Sequence, residues 1–196
     1  KLLSELKEKN IWAIARLVVF KDASQIEAHP EWYLKRENPK TVGNECWNKK
    51  HLRVKPEDLQ ATSYKLQANL WRDRRGGYWL DPASPEAQKY ILDFSQKIID
   101  LGFDELQFDY VRFPSDGDVE NATYPVWDGK TPKYLVMKSF FDSLHKNLKA
   151  HKPEIILSAD LFGYVAIGAG DVSIGQRLED IGDNFDYISF MVYPSH

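Results

Sequence analysis

Cysteine is almost missing. Cys46 is the only one in 196 residues, so the chain can close no internal disulfide and assemble no thiolate metal cluster. This suits a reducing compartment, and equally the many bacterial secreted enzymes that lack cystines. An excess of one charge sign is missing too. Lys and Arg number 26 against 29 Asp and Glu, a formal net charge of −3, so no basic field recommends nucleic acid or an anionic membrane as partner. The longest apolar run, 11–20 (IWAIARLVVF), is interrupted by Arg16 and far too short to span a bilayer, and no signal peptide precedes it. The first residue is Lys1 rather than Met, already inside a helix-like segment (Leu2, Leu3, Leu6), and His196 follows directly on a strand-like run. The expectation is a piece of a longer protein. There is no Gly-rich phosphate loop, no GxSxG nucleophile elbow and no HExxH pair, and the five histidines are not at metal-ligand spacing. Asp116-Gly117-Asp118 with Glu120 lacks the rest of a twelve-residue calcium loop and reads as a solvated loop.

What is present is 43% hydrophobic and 13% aromatic residues, enough for one domain with its own core over 1–196. Residues 11–20, 105–111, 155–159 and 187–192 are short, apolar and end at Pro, Gly or Asp, as strands buried on both faces do. Helical patterns lie between them. Ser84-Pro85-Glu86 offers an N-cap, a first-turn proline and an early acid. After it Ala87, Tyr90, Ile91, Phe94, Ile98 and Leu101 share a face, and Gly102 ends the helix. Val136, Phe140, Leu144 and Leu148 mark a second helix, and Ile174, Leu178 and Ile181 a shorter third. This alternation predicts an α/β fold with a parallel sheet covered by helices. Alternation alone does not separate a barrel from an open doubly wound sheet; strand order does. Residues 22–83 break the rhythm with a helix expected near 57–69. They carry Trp32, Trp47, Trp71 and Trp79, and read as a long insertion whose aromatics wall a substrate site.

The densest chemical signal is 102–114, GFDELQFDYVRFP. With period two, Glu105, Gln107 and Asp109 share one face of a buried strand, and polar groups so placed need partners. Asp160 again ends an apolar strand. Two carboxylates at the ends of neighbouring parallel strands are what glycoside hydrolysis uses. Asp109 reads alternatively as a turn cap or an ion-pair partner of Arg112, and Asp160 as a helix N-cap or a hydroxyl ligand. Arg16 shares parity with Val18, Phe20 and Asp22, and is expected to neutralise an interior acid such as Glu105. Trp79 and Asp81 in WLDP either line the cleft or form a turn with a buried indole. Tyr193 and His196 are candidates to stack on a sugar.

Four stretches, 13–22, 79–82 (WLDP), 102–114 and 186–196, together with 158–163 (SADLFG), resemble the bacterial putative glycosyl hydrolase domain family, which is related to the α-amylase-like (β/α)8 glycosidases. The resemblance implies a TIM-barrel-type fold, incomplete here and corresponding to about strands 3 to 6. It places Asp109 at the nucleophile position, Asp160 at the acid/base position, and Gln107 where amylase-like enzymes carry arginine. The expected function is hydrolysis of a poly- or oligosaccharide, with Asp109 and Asp160 catalytic and Lys21, Asp22, Trp79, Arg112, Tyr164, Tyr193 and His196 binding substrate. No metal or organic cofactor is required, the partner is carbohydrate, and the resemblance favours an extracellular or cell-envelope location. The alternative is a carbohydrate-binding or cell-wall-associated barrel without catalysis.

Overall fold

The computed structural model describes residues 2–37, 69–168 and 170–193. Cys46, Trp47, His196 and nearly all of the helix expected at 57–69 lie outside them. Helix α1 (Leu2–Glu8) leads into strand β1 (Ile14–Val18). A short β2 (Lys35–Arg36) precedes helix α2 (Pro85–Leu101) and strand β3 (Glu105–Asp109). Then come β4 (Ala122–Thr123), helix α3 (Lys133–His151), β5 (Ile156–Phe162), the single turn α4 (Leu178–Ile181) and β6 (Tyr187–Met191). The signals at the ends of α2 work as read: Ser84 accepts from the Ala87 N–H, Pro85 fills the first turn, and Gly102 closes the helix at φ 98°. The third helix is shorter than its apolar spacing implied, because Ile174 sits in the loop before it.

The four long strands form one parallel sheet in the order β1-β3-β5-β6. Each strand pairs with the next in the chain, with helices between, so the sheet never reverses direction as a doubly wound fold must. It is an arc of a β/α-barrel, left unclosed by the described residues. On its convex face Leu106, Phe108, Leu157, Ala159 and Leu161 are fully buried in one core with Ile91 of α2 and Phe140, Phe141 and Leu144 of α3. Each such large side chain contributes about 1.5–3 kcal/mol by leaving water. The concave face is of opposite parity. The register places Arg16 opposite Gln107, Gln107 opposite Ser158, and Asp160 opposite Ser189.

The described residues of the insertion pack largely into the core. β2 pairs antiparallel with β4, and isolated bridges join Tyr33 to Leu80 and Lys35 to Leu70. Trp71 and Trp79 are 2% and 1% exposed, so these indoles are core, and Trp71 Nε1 is tied to the Asp118 carbonyl at 2.7 Å.

Candidate active site

The ladder β1-β3-β5 delivers three concave-face side chains to the carboxyl end of the arc. Asp109 ends β3, and its backbone continuation Tyr110 takes φ 53°, a left-handed conformation that costs a non-glycine residue about 1–3 kcal/mol. That turn brings the Tyr110 N–H back onto Asp109 Oδ1 at 2.7 Å, fixing the carboxylate. Arg16 Nη2 donates to Asp109 Oδ2. The same guanidinium lies 3.9 Å, at Nε, from Asp160 Oδ2. One planar group touching both carboxylates keeps them within about 9.5 Å, the upper end of the range spanned by glycosidase pairs.

Asp160 is held from its other side by Gln107 Nε2, 2.9 Å from Oδ1. Its pKa is raised above the ordinary carboxylate value, first by burial and then by the charge of Asp109, against the opposing pull of Gln107 and Arg16. Gln176, fully buried, braces the strand ends: its Oε1 accepts the Phe162 N–H at 3.0 Å and its Nε2 donates to the Val111 carbonyl at 3.3 Å. Arg16 was expected to serve Glu105. Instead Glu105 accepts from Trp12 Nε1 and from Ser158 Oγ, because Arg16 sits two rungs further along the register and reaches toward the strand end.

A cavity of about 300 Å³ opens beside Asp109, with Arg16, Lys21, Trp79, Arg112 and Tyr193 in its walls. Asp73 also lines it, a residue that nothing in the sequence marks beyond a turn-forming Asp-Arg-Arg-Gly-Gly. Asp73 accepts from Lys21 Nζ at 2.7 Å, Trp79 Nε1 at 3.0 Å and the Gly77 N–H at 2.8 Å. Burial pushes its pKa up, but the bonds from Lys21, Trp79 and Gly77 outweigh this and hold it below the usual carboxylate value. A depressed folded pKa gives stability above the unfolded value near 3.9 that is lost as pH falls through the folded one. Asp73→Asn is therefore expected to cost about 1.5–3 kcal/mol at pH 7 and progressively less below about pH 4, read by thermal melts at both pH values. An equal loss at pH 7 and pH 3 would refute this account.

Trp79 lines the cavity but is only 1% exposed, so it presents no open sugar platform. Asp22 turns away from the cavity, accepting the Ser24 N–H at 2.8 Å and lying 3.4 Å from the Tyr90 hydroxyl. Tyr164 is 70% exposed on a 3-10 turn outside the cavity walls, whereas Tyr193, 74% exposed, stands at the rim. Asp81 does not reach the cleft; it binds backbone amides within the fold. Among the described residues no group of three His, Cys, Asp or Glu side chains is arranged to hold a metal, and no helix is long and apolar enough to cross a membrane.

Four sequential parallel strands with helices outside define a partial TIM-barrel architecture of the kind found in glycoside hydrolases. The chain belongs to the family described as "Putative glycosyl hydrolase domain", whose model matches residues 1–196. No curated protein matches it. Among solved structures it is similar to a hypothetical protein from Ruminiclostridium thermocellum, at 27% identity and TM-score 0.56, covering 82% of this chain and 64% of that one. It is similar in fold to an Anoxybacillus α-amylase, at 16% identity and TM-score 0.52, over 97% of this chain and 32% of that one. The glycoside hydrolase domain of PelA from Pseudomonas aeruginosa shares the fold at 14% identity and TM-score 0.50, over 96% and 53%. The chain thus spans less than two thirds of each of these structures.

Proposed function

We propose that this protein hydrolyses O-glycosidic bonds of a poly- or oligosaccharide at the Asp109–Asp160 pair. The observation that carries the reading is the single Arg16 guanidinium in reach of both carboxylates, Asp109 at the end of β3 and Asp160 level with it in β5, which runs on to Phe162 rather than ending at Asp160 as its sequence suggests. Asp160, its proton favoured by burial and by the neighbouring negative charge, protonates the leaving glycosidic oxygen as the C–O bond breaks. Asp109 forms the new bond to the anomeric carbon, or takes the proton of the water that does. Lys21 and Arg112 in the cavity wall orient the sugar, and Tyr193 at the rim offers an aromatic face.

The test uses the full-length protein and a panel of glycans. Asp160→Asn is expected to lower hydrolysis of ordinary glycans about 10²- to 10⁴-fold. Aryl glycosides, whose leaving groups need no proton, are expected to lose much less. Equal losses on both substrate types would remove Asp160 from the acid role, and glycan binding by the wild type with no hydrolysis would favour a binding barrel.

A further inference from the structure

Arg112 lies three residues beyond Asp109 and is only 7% exposed, yet its charge is left without a carboxylate. Arginine presents five N–H donors. Nη1 donates to the Phe113 carbonyl at 2.9 Å and to Ser115 Oγ at 3.2 Å. Nε is buried with no hydrogen-bond partner, and among the described residues Nη2 has none either. Neither does any carboxylate lie within ion-pair distance of the guanidinium among those residues. Asp116, Asp109 and Asp73 act on it only from further away, and burial lowers its pKa.

Aromatic faces hold the cation in place instead, with Phe162 at 4.5 Å, Trp79 at 5.1 Å and Tyr110 at 5.4 Å from its central carbon. Among the other cations lining the cavity, Lys21 is paired with Asp73 and Arg16 with Asp109 and Asp160, while Arg75, unpaired among the described residues, is exposed to water rather than buried.

Leaving a buried guanidinium edge unmatched costs more than making no bond at all. The donors that remain, Nε and Nη2, form the side-on fork that matches a planar carboxylate or two oxygens of a sulfate or phosphate. A sugar hydroxyl fills half of such a fork and leaves the charge unneutralised.

Resting on the hydrolase reading above, we propose that Arg112 is a specificity residue for an acidic glycan, receiving an anionic substituent of the sugar beside the one cleaved. The anion enters from the cavity onto Nη2, next to the unsatisfied Nε on the same edge.

The experiment measures binding to the full-length protein carrying Asp109→Asn, so that it does not depend on turnover. The probes are oligogalacturonates, the same oligomers as methyl esters, a sulfated oligosaccharide, and neutral gluco-oligosaccharides. The expected result is binding of at least one acidic probe about 10- to 100-fold tighter than its neutral counterpart. Carboxylate and sulfate arms separate the two sources of charge. Arg112→Gln is expected to abolish that preference, weakening acidic probes by a much larger factor than neutral ones, and Arg112→Lys to keep part of it, since it retains charge without the fork.

No charge preference in the Arg112-intact protein, or an equal fall for acidic and neutral probes in Arg112→Gln, overturns the proposal. The comparison of acid with methyl ester needs no Arg112 variant, so it stands even where those variants fail to fold. Acidic binding with no wild-type hydrolysis would refute the hydrolase reading and leave the anion site standing. Hydrolysis of neutral glycans without acidic preference would do the reverse.

Discussion

Asp109→Asn is expected to lower hydrolysis by about 10⁴-fold, equivalent to about 5.5 kcal/mol of transition-state stabilisation, while barely moving the melting temperature. The contrast follows from what each oxygen of Asp109 does. Oδ1 accepts the Tyr110 N–H at 2.7 Å, and the amide oxygen of asparagine keeps that bond. Oδ2 meets Arg16, whose side chain is 52% exposed. Water can solvate the released guanidinium, so the stability change stays within about 1 kcal/mol. The chemistry cannot be compensated in this way, because an amide neither attacks an anomeric carbon nor removes a proton from water. A second effect accompanies the loss. The Asp109 charge helps raise the Asp160 pKa, so removing it lets Asp160 deprotonate at lower pH, and the alkaline limb of any residual activity shifts downward. Hydrolysis assays and thermal melts on the full-length protein test both halves. Full activity in the variant would remove Asp109 from the reaction.

The parts of this arrangement that were legible in the sequence are those set by local periodicity. Period two along 105–109 puts Glu105, Gln107 and Asp109 on one face without reference to any other strand. Ser84, Pro85 and Gly102 likewise fix α2 through contacts within one turn. Parity does not reveal inter-strand register, which is why Arg16 was matched to Glu105 rather than to Asp109. The true pairing depends on Arg16 lying opposite Gln107, a position from which a long side chain reaches the strand end. Asp73 was illegible for a related reason. Its bonds to the Arg75 and Gly77 N–H groups are those of an ordinary turn, and only the tertiary fold adds Lys21. Composition does not say which face of a loop is buried: the indoles of Trp71 and Trp79 supply apolar area to a core extended by β2 and β4, beyond the reach of the α/β pattern, although Trp79 also lines the cavity.

The acid of WLDP makes the opposite case to Asp109. Asp81 is fully buried, and its Oδ1 accepts the Ala83 N–H at 2.9 Å while Oδ2 accepts the Val126 and Trp127 N–H groups at 2.7 and 2.9 Å. One carboxylate therefore joins the start of α2 to the loop after β4, whose Trp127 packs on Phe113 at 5.4 Å between ring centres. Asp81→Ala strands three backbone donors, each worth about 1–3 kcal/mol when left unpaired, for an expected loss of about 3–6 kcal/mol. That is a large share of the 5–15 kcal/mol that holds a typical domain folded. Asparagine offers no rescue here. Its amide nitrogen would face either the Val126 and Trp127 donors or, flipped, the Ala83 donor, so Asp81→Asn is expected to destabilise by a comparable amount. Denaturant titration of the two asparagine variants side by side decides the matter. Asp109→Asn should unfold with the wild type and Asp81→Asn well before it, and coincident midpoints for all three would show that the Asp81 bonds contribute nothing to stability.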